Sequence, residues 1–339
     1  MAEFYIPTNA ELKQVEQDLI PDLSGNRPIF KILPVEEIED DIIEWDQEDN
    51  YFGLQKPRGL NGQPGRVTKV GVDRWRVQPG YYGEQSDVDE QVLTRRRKFG
   101  TFGTAVDVSD LVMVEQRKLL MRRLNAIEYI GWTLLTTGIF AVANEDGSIV
   151  HTDQFSTQTF TAAISWLNLA TATPLQDLRT IQLLHRGHSV RFDHTSTLYL
   201  NQTTVNALLN NTNNNDLGGK KNMYGATANL SLDELNKILL GNQLPLIEVM
   251  DDGYYDDNKV FQLYIANYTG CLIGKRTTGT PIGSYAMTVN ANNPDMAPGA
   301  YTKVVDHGEK EVPRRITVHD GHNGGPKIPL PSGVVNCTF

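Results

Sequence analysis

The sequence predicts an α+β chain built from one long helix, a two-limbed β-ribbon ahead of it and a mixed α/β segment behind it. The helix is read over residues 109–138, SDLVMVEQRKLLMRRLNAIEYIGWTLLTTG, where Met113, Leu120, Leu124, Ile127, Gly131 and Leu134 recur at three- and four-residue steps. That spacing gathers them on one face and leaves Glu115, Lys118 and Arg122 on another. The ribbon is read from two alternating runs around a glycine- and proline-rich tip, and the α/β segment from short helical and strand patterns beginning at Thr161.

With 339 residues and 40% hydrophobic content, the chain has mass for two or three domains and enough apolar surface for a core. The net charge of −10 argues against wrapping nucleic acid through a basic surface. Beside DNA, such a chain surrounds rather than grips. Cys271 and Cys337 stand far apart with no C-x-x-C, so they read as small buried residues, not a disulfide framework or zinc ribbon. No apolar run approaches ~18 residues, and the opening MAEFYIPTNAELKQ lacks the regions of a signal peptide. Synthesis in a cytosol, with no membrane partner, is expected.

Residues 1–34 read as an N-terminal arm, with a short helix over 9–19 and then a run broken by Pro21, Gly25, Pro28 and Pro34. It has too few apolar residues to fold alone and must lie on another surface. Residues 35–80 read as an extended β-hairpin loop. Its outgoing limb carries Glu36, Glu37, Glu39, Asp40, Asp41, Glu44, Asp46, Glu48 and Asp49 without a Lys or Arg, and Ile43 and Trp45 alternate with Glu44 and Asp46. Pro57, Gly59, Asn61, Gly62, Pro64 and Gly65 make the tip, and RVTKVGVDRWRV returns with Arg66, Lys69, Arg74 and Arg76. Limbs of about twelve residues reach roughly 40 Å, and a ribbon that long is marginal in water by itself. The charge split has two readings: cross-strand pairs worth ~0.2–1 kcal/mol each, or limbs that face oppositely charged copies of the chain.

A turn at Gln78, Pro79 and Gly80 and a basic cluster from Arg95 to Lys98 lead to the long helix. That cluster suits salt bridges or a solvated face as well as phosphate. Ser109 suits the N-cap, Asp110 the first turn and Gly138 the C′ position, giving a helix of roughly 40 Å. A small hairpin turns at Glu145, Asp146 and Gly147. In residues 161–290, PLQDLRTIQLLHRG reads as helix, STLYLN as strand, TTVNALLNN as helix and NNTNNNDLGGKKN as an exposed loop. SLDELNKILLGN is a helix capped by Ser231 and Glu234, and LPLIEVM and KVFQLYIAN form a hairpin around DDGYYDD. Residues 291–339 add the strand-like runs RRITVHD and SGVVNCTF, expected to return to the layer of the long helix. There is no internal repeat.

Catalytic patterns are absent. His185 and His188 lack a matched acid, His319 and His322 flank Asp320 in a presumed loop, and residues 251–258 lack the order of a calcium loop. The glycines of GLNGQPG lie between strands and so do not cradle phosphate, and there is no G-x-S-x-G, Walker-type loop or H-E-x-x-H. No catalytic, cofactor or metal residue is assigned.

The order of these parts resembles the major capsid proteins of tailed bacteriophages, in the branch typified by the lambda capsid protein. The resemblance rests on Pro79, Gly80 and Tyr81 with Asp87, Val88 and Asp89, then Leu93 to Arg97 leading into the helix. It continues in Trp166 followed by Pro174, Leu175, Gln176, Asp177 and Leu178, and in residues 314–320 followed by Pro326, Pro329 and Pro331. It implies the Hong Kong 97 phage-type capsid fold: N-terminal arm (1–34), extended loop (35–80), peripheral domain (81–160) on the spine helix 109–138, axial domain (161–290) and a return to the peripheral domain (291–339).

The implied function is a major capsid protein, self-assembling into hexamers and pentamers of an icosahedral shell around double-stranded DNA, without sequence-specific binding. Scaffolding, portal and decoration proteins are the implied partners, and the virion the implied location. On this view Trp45 and Trp75 need a partner surface, and Trp45, Arg66, Lys69, Arg74, Trp75 and Arg76 are the candidate inter-subunit contacts. Lys56 and Lys69 lie where some proteins of this fold crosslink, and non-covalent closure is the reading adopted. A nanocompartment shell of the same fold and a metal-dependent hydrolase are the alternatives.

Overall fold

The computed structural model describes residues 5–48, 72–95, 107–144, 146–211, 231–256, 258–276, 281–308 and 312–339, with scattered positions between 54 and 66. The basic cluster beyond Arg95 and most of the asparagine-rich loop lie outside them.

Helix α1 (Asn9–Ser24) opens on a capping box in which Thr8 and Glu11 satisfy each other's backbone N–H groups. It continues past the predicted end at residue 19 and through Pro21. A proline in the last turn removes one helical hydrogen bond, and the turn still closes because the Gly25 N–H donates to the Pro21 carbonyl. After the one-turn helix α2 (Ile29–Ile32) come β1 (Val35–Glu37), β2 (Ile43–Glu48), β3 (Val72–Val77), β4 (Gly80–Val88) and α3 (Glu90–Arg95). The long helix α4 (Val108–Thr137) follows. Its N-cap is Asp107, whose carboxylate accepts from the Val108 N–H, two residues before the predicted Ser109.

The arm lies on its own subunit, along α4. Leu12, Ile29 and Leu33 are buried, and the Gln116 side chain donates to the Leu12 carbonyl at 2.7 Å. Gly131 lets the arm come close: a Cβ there would sit 2.7 Å from Ile29 Cγ1. The other surface that the arm is expected to need is therefore supplied by α4 of its own subunit.

Helix α4 ends at Gly138 with φ 73°, where the chain turns into the hairpin of β5 (Ile139–Ala143) and β6 (Ile149–Gln154). A Cβ at Gly138 would lie 2.4 Å from Thr157 Oγ1. Gly138→Ala is expected to destabilise the subunit by at least about 1–2 kcal/mol, the cost of the left-handed conformation alone, read as a lower urea midpoint.

Beyond the hairpin come β7 (Gln158–Thr161), α5 (Pro174–Leu183), β8 (Val190–Arg191), β9 (Thr197–Leu200), α6 (Gln202–Leu209), α7 (Leu232–Gly241), β10 (Leu246–Val249) and the pair β11 (Gly253–Tyr255) and β12 (Phe261–Leu263). They are followed by β13 (Thr269–Ile273), β14 (Lys275–Arg276), β15 (Ser284–Met287), β16 (Tyr301–Asp306), β17 (Ile316–Lys327) and β18 (Val334–Thr338). Among the described residues these strands build two five-stranded sheets. One has the order β1-β15-β17-β16, with β4 also on β17, and the other the order β10-β9-β13-β18-β7.

The second sheet is apolar on both faces, by strict alternation. Tyr199, Cys271 and Val334 point to the side of Trp132 and Leu135 of α4, whereas Leu198, Leu200, Leu272, Val335 and Cys337 point to the helices α5, α6 and α7. The C-terminal strand thus meets α4 on one face while it pairs with β13 and β7 inside the α/β sheet, a central position that covers both of its faces. Conversely β15, read with the axial segment, pairs with β17 under α4. The hairpin predicted from LPLIEVM and KVFQLYIAN is also redrawn. Leu246–Val249 pairs in parallel with β9, and Gly253–Tyr255 takes the place opposite β12.

Candidate self-association surface

At the base of the ribbon, β2 and β3 pair antiparallel, with Glu44 opposite Arg76, Trp45 opposite Trp75 and Asp46 opposite Arg74. Arg76 Nε lies 3.5 Å from Glu44 Oε1, and Arg74 Nε donates to Asp46 Oδ1 at 3.2 Å. The opposite charges of the two limbs therefore meet within the hairpin. These pairs are exposed, so solvent screens them. Arg74→Ala is expected to move subunit stability by no more than about 1 kcal/mol, measured by thermal or urea unfolding.

Trp45 corrects the sequence reading more sharply. It is 8% exposed, and its ring stacks on Trp75 at 6.5 Å and on Phe155 at 6.1 Å. The alternation that predicts the strand puts Ile43 and Trp45 on one face, and that face lies against Phe140, Val142 and Phe155 of the same subunit. Trp45 is covered within its own subunit, and Trp75 is half-buried beside it.

The described positions between β2 and β3 are different. Leu54 is 97% exposed and Leu60 100% exposed, and Arg66 is also open to solvent. Arg58 donates to the Gly62 carbonyl at 3.0 Å, and Lys69 lies outside the described residues. Sequence reasoning passed over both leucines, although two lone apolar residues in a tip of Pro, Gly and Asn were the available signal. Tyr255 and Phe261, edge to face on the β11–β12 pair, and Ile149 and Val150 on β6 are likewise uncovered.

Within the subunit, the arm is held by charge. Arg123 of α4 donates to Asp320 of β17 at 2.9 Å and 3.2 Å and to Glu16 of α1, and all three are buried. Burial raises the Asp320 carboxyl to about 6 against the pull of Arg123. His319 and His322, read as loop residues, lie on β17 instead. His322 is fully enclosed, hydrogen-bonded to Tyr285 Oη at 2.9 Å and stacked on Tyr82. Burial, with Arg123 adding to it, pushes its pKa down to about 3 and keeps the ring neutral. His185 Nδ1 is taken by the Gln182 carbonyl. Among the described residues no three of His, Cys, Asp and Glu converge as metal ligands. A cleft of about 530 Å³ at the ribbon base, lined by Asp41, Arg76, Gln78, Tyr81 and Asp153, contains no nucleophile paired with a base.

No protein-family model and no curated protein matches the sequence. Solved structures do match the fold. The structure of the putative capsid protein of a prophage of Escherichia coli CFT073 is 14% identical and has a TM-score of 0.53 over 96% of this chain and 98% of that one. A phage-related protein from Bordetella bronchiseptica RB50 is 12% identical, with a TM-score of 0.51 over 95% and 96%. The capsid of cyanophage P-SCSP1u gives 9% identity and a TM-score of 0.50 over 91% and 86%. The fold is that of capsid proteins of the Hong Kong 97 phage type, spanning nearly the whole chain.

Proposed function

We propose that this chain is a major capsid protein. Its copies associate through the extended loop into hexamers and pentamers that close as an icosahedral shell around double-stranded DNA. The observation that carries the reading is a capsid-type fold over 96% of the chain together with the near-complete exposure of Leu54 and Leu60 between β2 and β3. Apolar side chains held out on a ribbon are stabilised once an identical neighbour covers them. Arg66 and Lys69 then act at the rim of that contact, while Arg74 and Arg76, paired with Asp46 and Glu44, fix the ribbon's base together with Trp45 and Trp75. The net charge of −10 suits a container whose wall does not adhere to its cargo.

In this reading the arm, the spine helix and the sheet of β15, β16 and β17 belong to the peripheral layer, and the sheet of β9, β13 and β18 with α5, α6 and α7 faces the capsomer centre. The location is the virion, the role is structural rather than enzymatic, and a scaffolding protein, a portal and a decoration protein are the expected companions. Electron microscopy of the purified protein tests the proposal. Closed particles or capsomer rings are expected, and a monomer at high concentration would overturn it. Particles packed with protein instead of DNA would point to a nanocompartment shell.

A further inference from the structure

The contact between α1, α4 and the β16–β17 pair contains one positive charge and two negative ones. Glu16 is 7% exposed, Arg123 6% and Asp320 3%, so none of the three is neutralised by solvent. Between the carboxylates stands one hydroxyl: Thr302 Oγ1 is 2.9 Å from Glu16 Oε2 and 3.2 Å from Asp320 Oδ2. A hydroxyl has a single hydrogen to donate, and an ionised carboxylate only accepts. With both acids ionised, one of these contacts sets lone pair against lone pair. A proton on one carboxyl resolves it, because that acid donates to Oγ1 while Oγ1 donates to the other.

Among the described residues, Arg123 is the cation that acts on Asp320. From β4 comes Glu84, which adds negative potential at Asp320 although it is itself ion-paired with Arg122 at the surface. From β16 comes Tyr301, whose hydroxyl is held protonated by burial and by Asp320. From β17 comes His322, enclosed and neutral. From α4, besides Arg123, Gln116 reaches the Leu12 carbonyl.

We infer that the Glu16–Thr302–Asp320 cluster is a proton-binding site, and that the bound proton tightens the seating of α1 on α4 and the β16–β17 pair. The sign follows from linkage: the seated form binds the proton more tightly than the unseated form, so seating strengthens as pH falls through about 6, the seated Asp320 value. Between pH 8 and pH 5 the seating constant is expected to rise about tenfold if the unseated carboxyl titrates near its ordinary value of about 4. The inference does not depend on shell formation.

Hydrogen exchange of the α1 amides in the full-length chain, corrected for the intrinsic pH dependence of exchange and referenced to α6, tests it. Protection of α1 should rise about tenfold from pH 8 to pH 5 while α6 does not follow. Asp320→Asn, whose amide donates to Oγ1 at any pH, should give the tighter level throughout, and Glu16→Gln should do the same. Should Asp320→Asn fail to fold, the infrared spectrum of the unmodified protein decides: a protonated-carboxyl band, present at pH 5 and lost by pH 8, is required. Flat α1 protection in the unmodified protein, a full pH slope retained in Asp320→Asn, or absence of that band would each overturn the inference.

Discussion

Arg123→Met is expected to cost the subunit about 3–5 kcal/mol, the usual consequence of removing one partner from a buried ionic cluster. The reason lies in what stays behind. Glu16 and Asp320 would face each other across Thr302 with no guanidinium between them, inside a contact that water does not reach. Methionine replaces the stem and its packing, so the loss reports charge rather than volume. Urea unfolding checks it, with Arg122→Met as the comparison. Arg122 lies next along the helix and pairs with Glu84 in the open, where the expected loss is within about 1 kcal/mol. A loss at Arg123 no larger than at Arg122 would mean that the cluster is solvated and the arm is held by Leu12 and Ile29 alone.

That cluster also marks the limit of the sequence as a guide. The spine helix was legible because a repeat of three and four residues needs no partner to be recognised, and Gly138 ends it where a left-handed residue is required. The ribbon base was legible for the same local reason, a period of two. What could not be read is everything joined across distance. Glu16, Arg123 and Asp320 come from three separate parts of the chain and look like ordinary surface charges in any local window. The arm reads only as needing another surface, and a buried guanidinium with the absent side chain of Gly131 gives it a seat on its own subunit. Trp45 was misjudged, since its complement Phe155 lies across a hairpin that no local pattern connects to the ribbon. The strand exchange of β15 and β18 between the two sheets escapes any reading that cuts the chain into consecutive domains.

Deleting residues 55–66 is expected to leave a folded, soluble subunit that forms no closed particles. The stem of the ribbon survives the deletion, because Ile43, Trp45 and Val77 belong to the core around Phe140 and Phe155. Thermal unfolding should therefore stay close to that of the intact chain. What goes is the segment with Leu60, which is fully exposed in the subunit. Burying one leucine against a neighbour stabilises a contact by about 1.5–3 kcal/mol, and a closed shell repeats that contact at every subunit. Losing it everywhere at once shifts the balance from shell to free subunit far more than the same loss within one chain shifts folding. A double substitution, Leu54→Ser with Leu60→Ser, separates chemistry from length: the ribbon keeps its reach, and closure should still fail. Electron microscopy and sedimentation velocity read both variants. Normal particles from the deletion would remove the ribbon from the assembly contact, whereas normal particles from the double substitution alone would move that contact from the leucines to the backbone and charges of the loop.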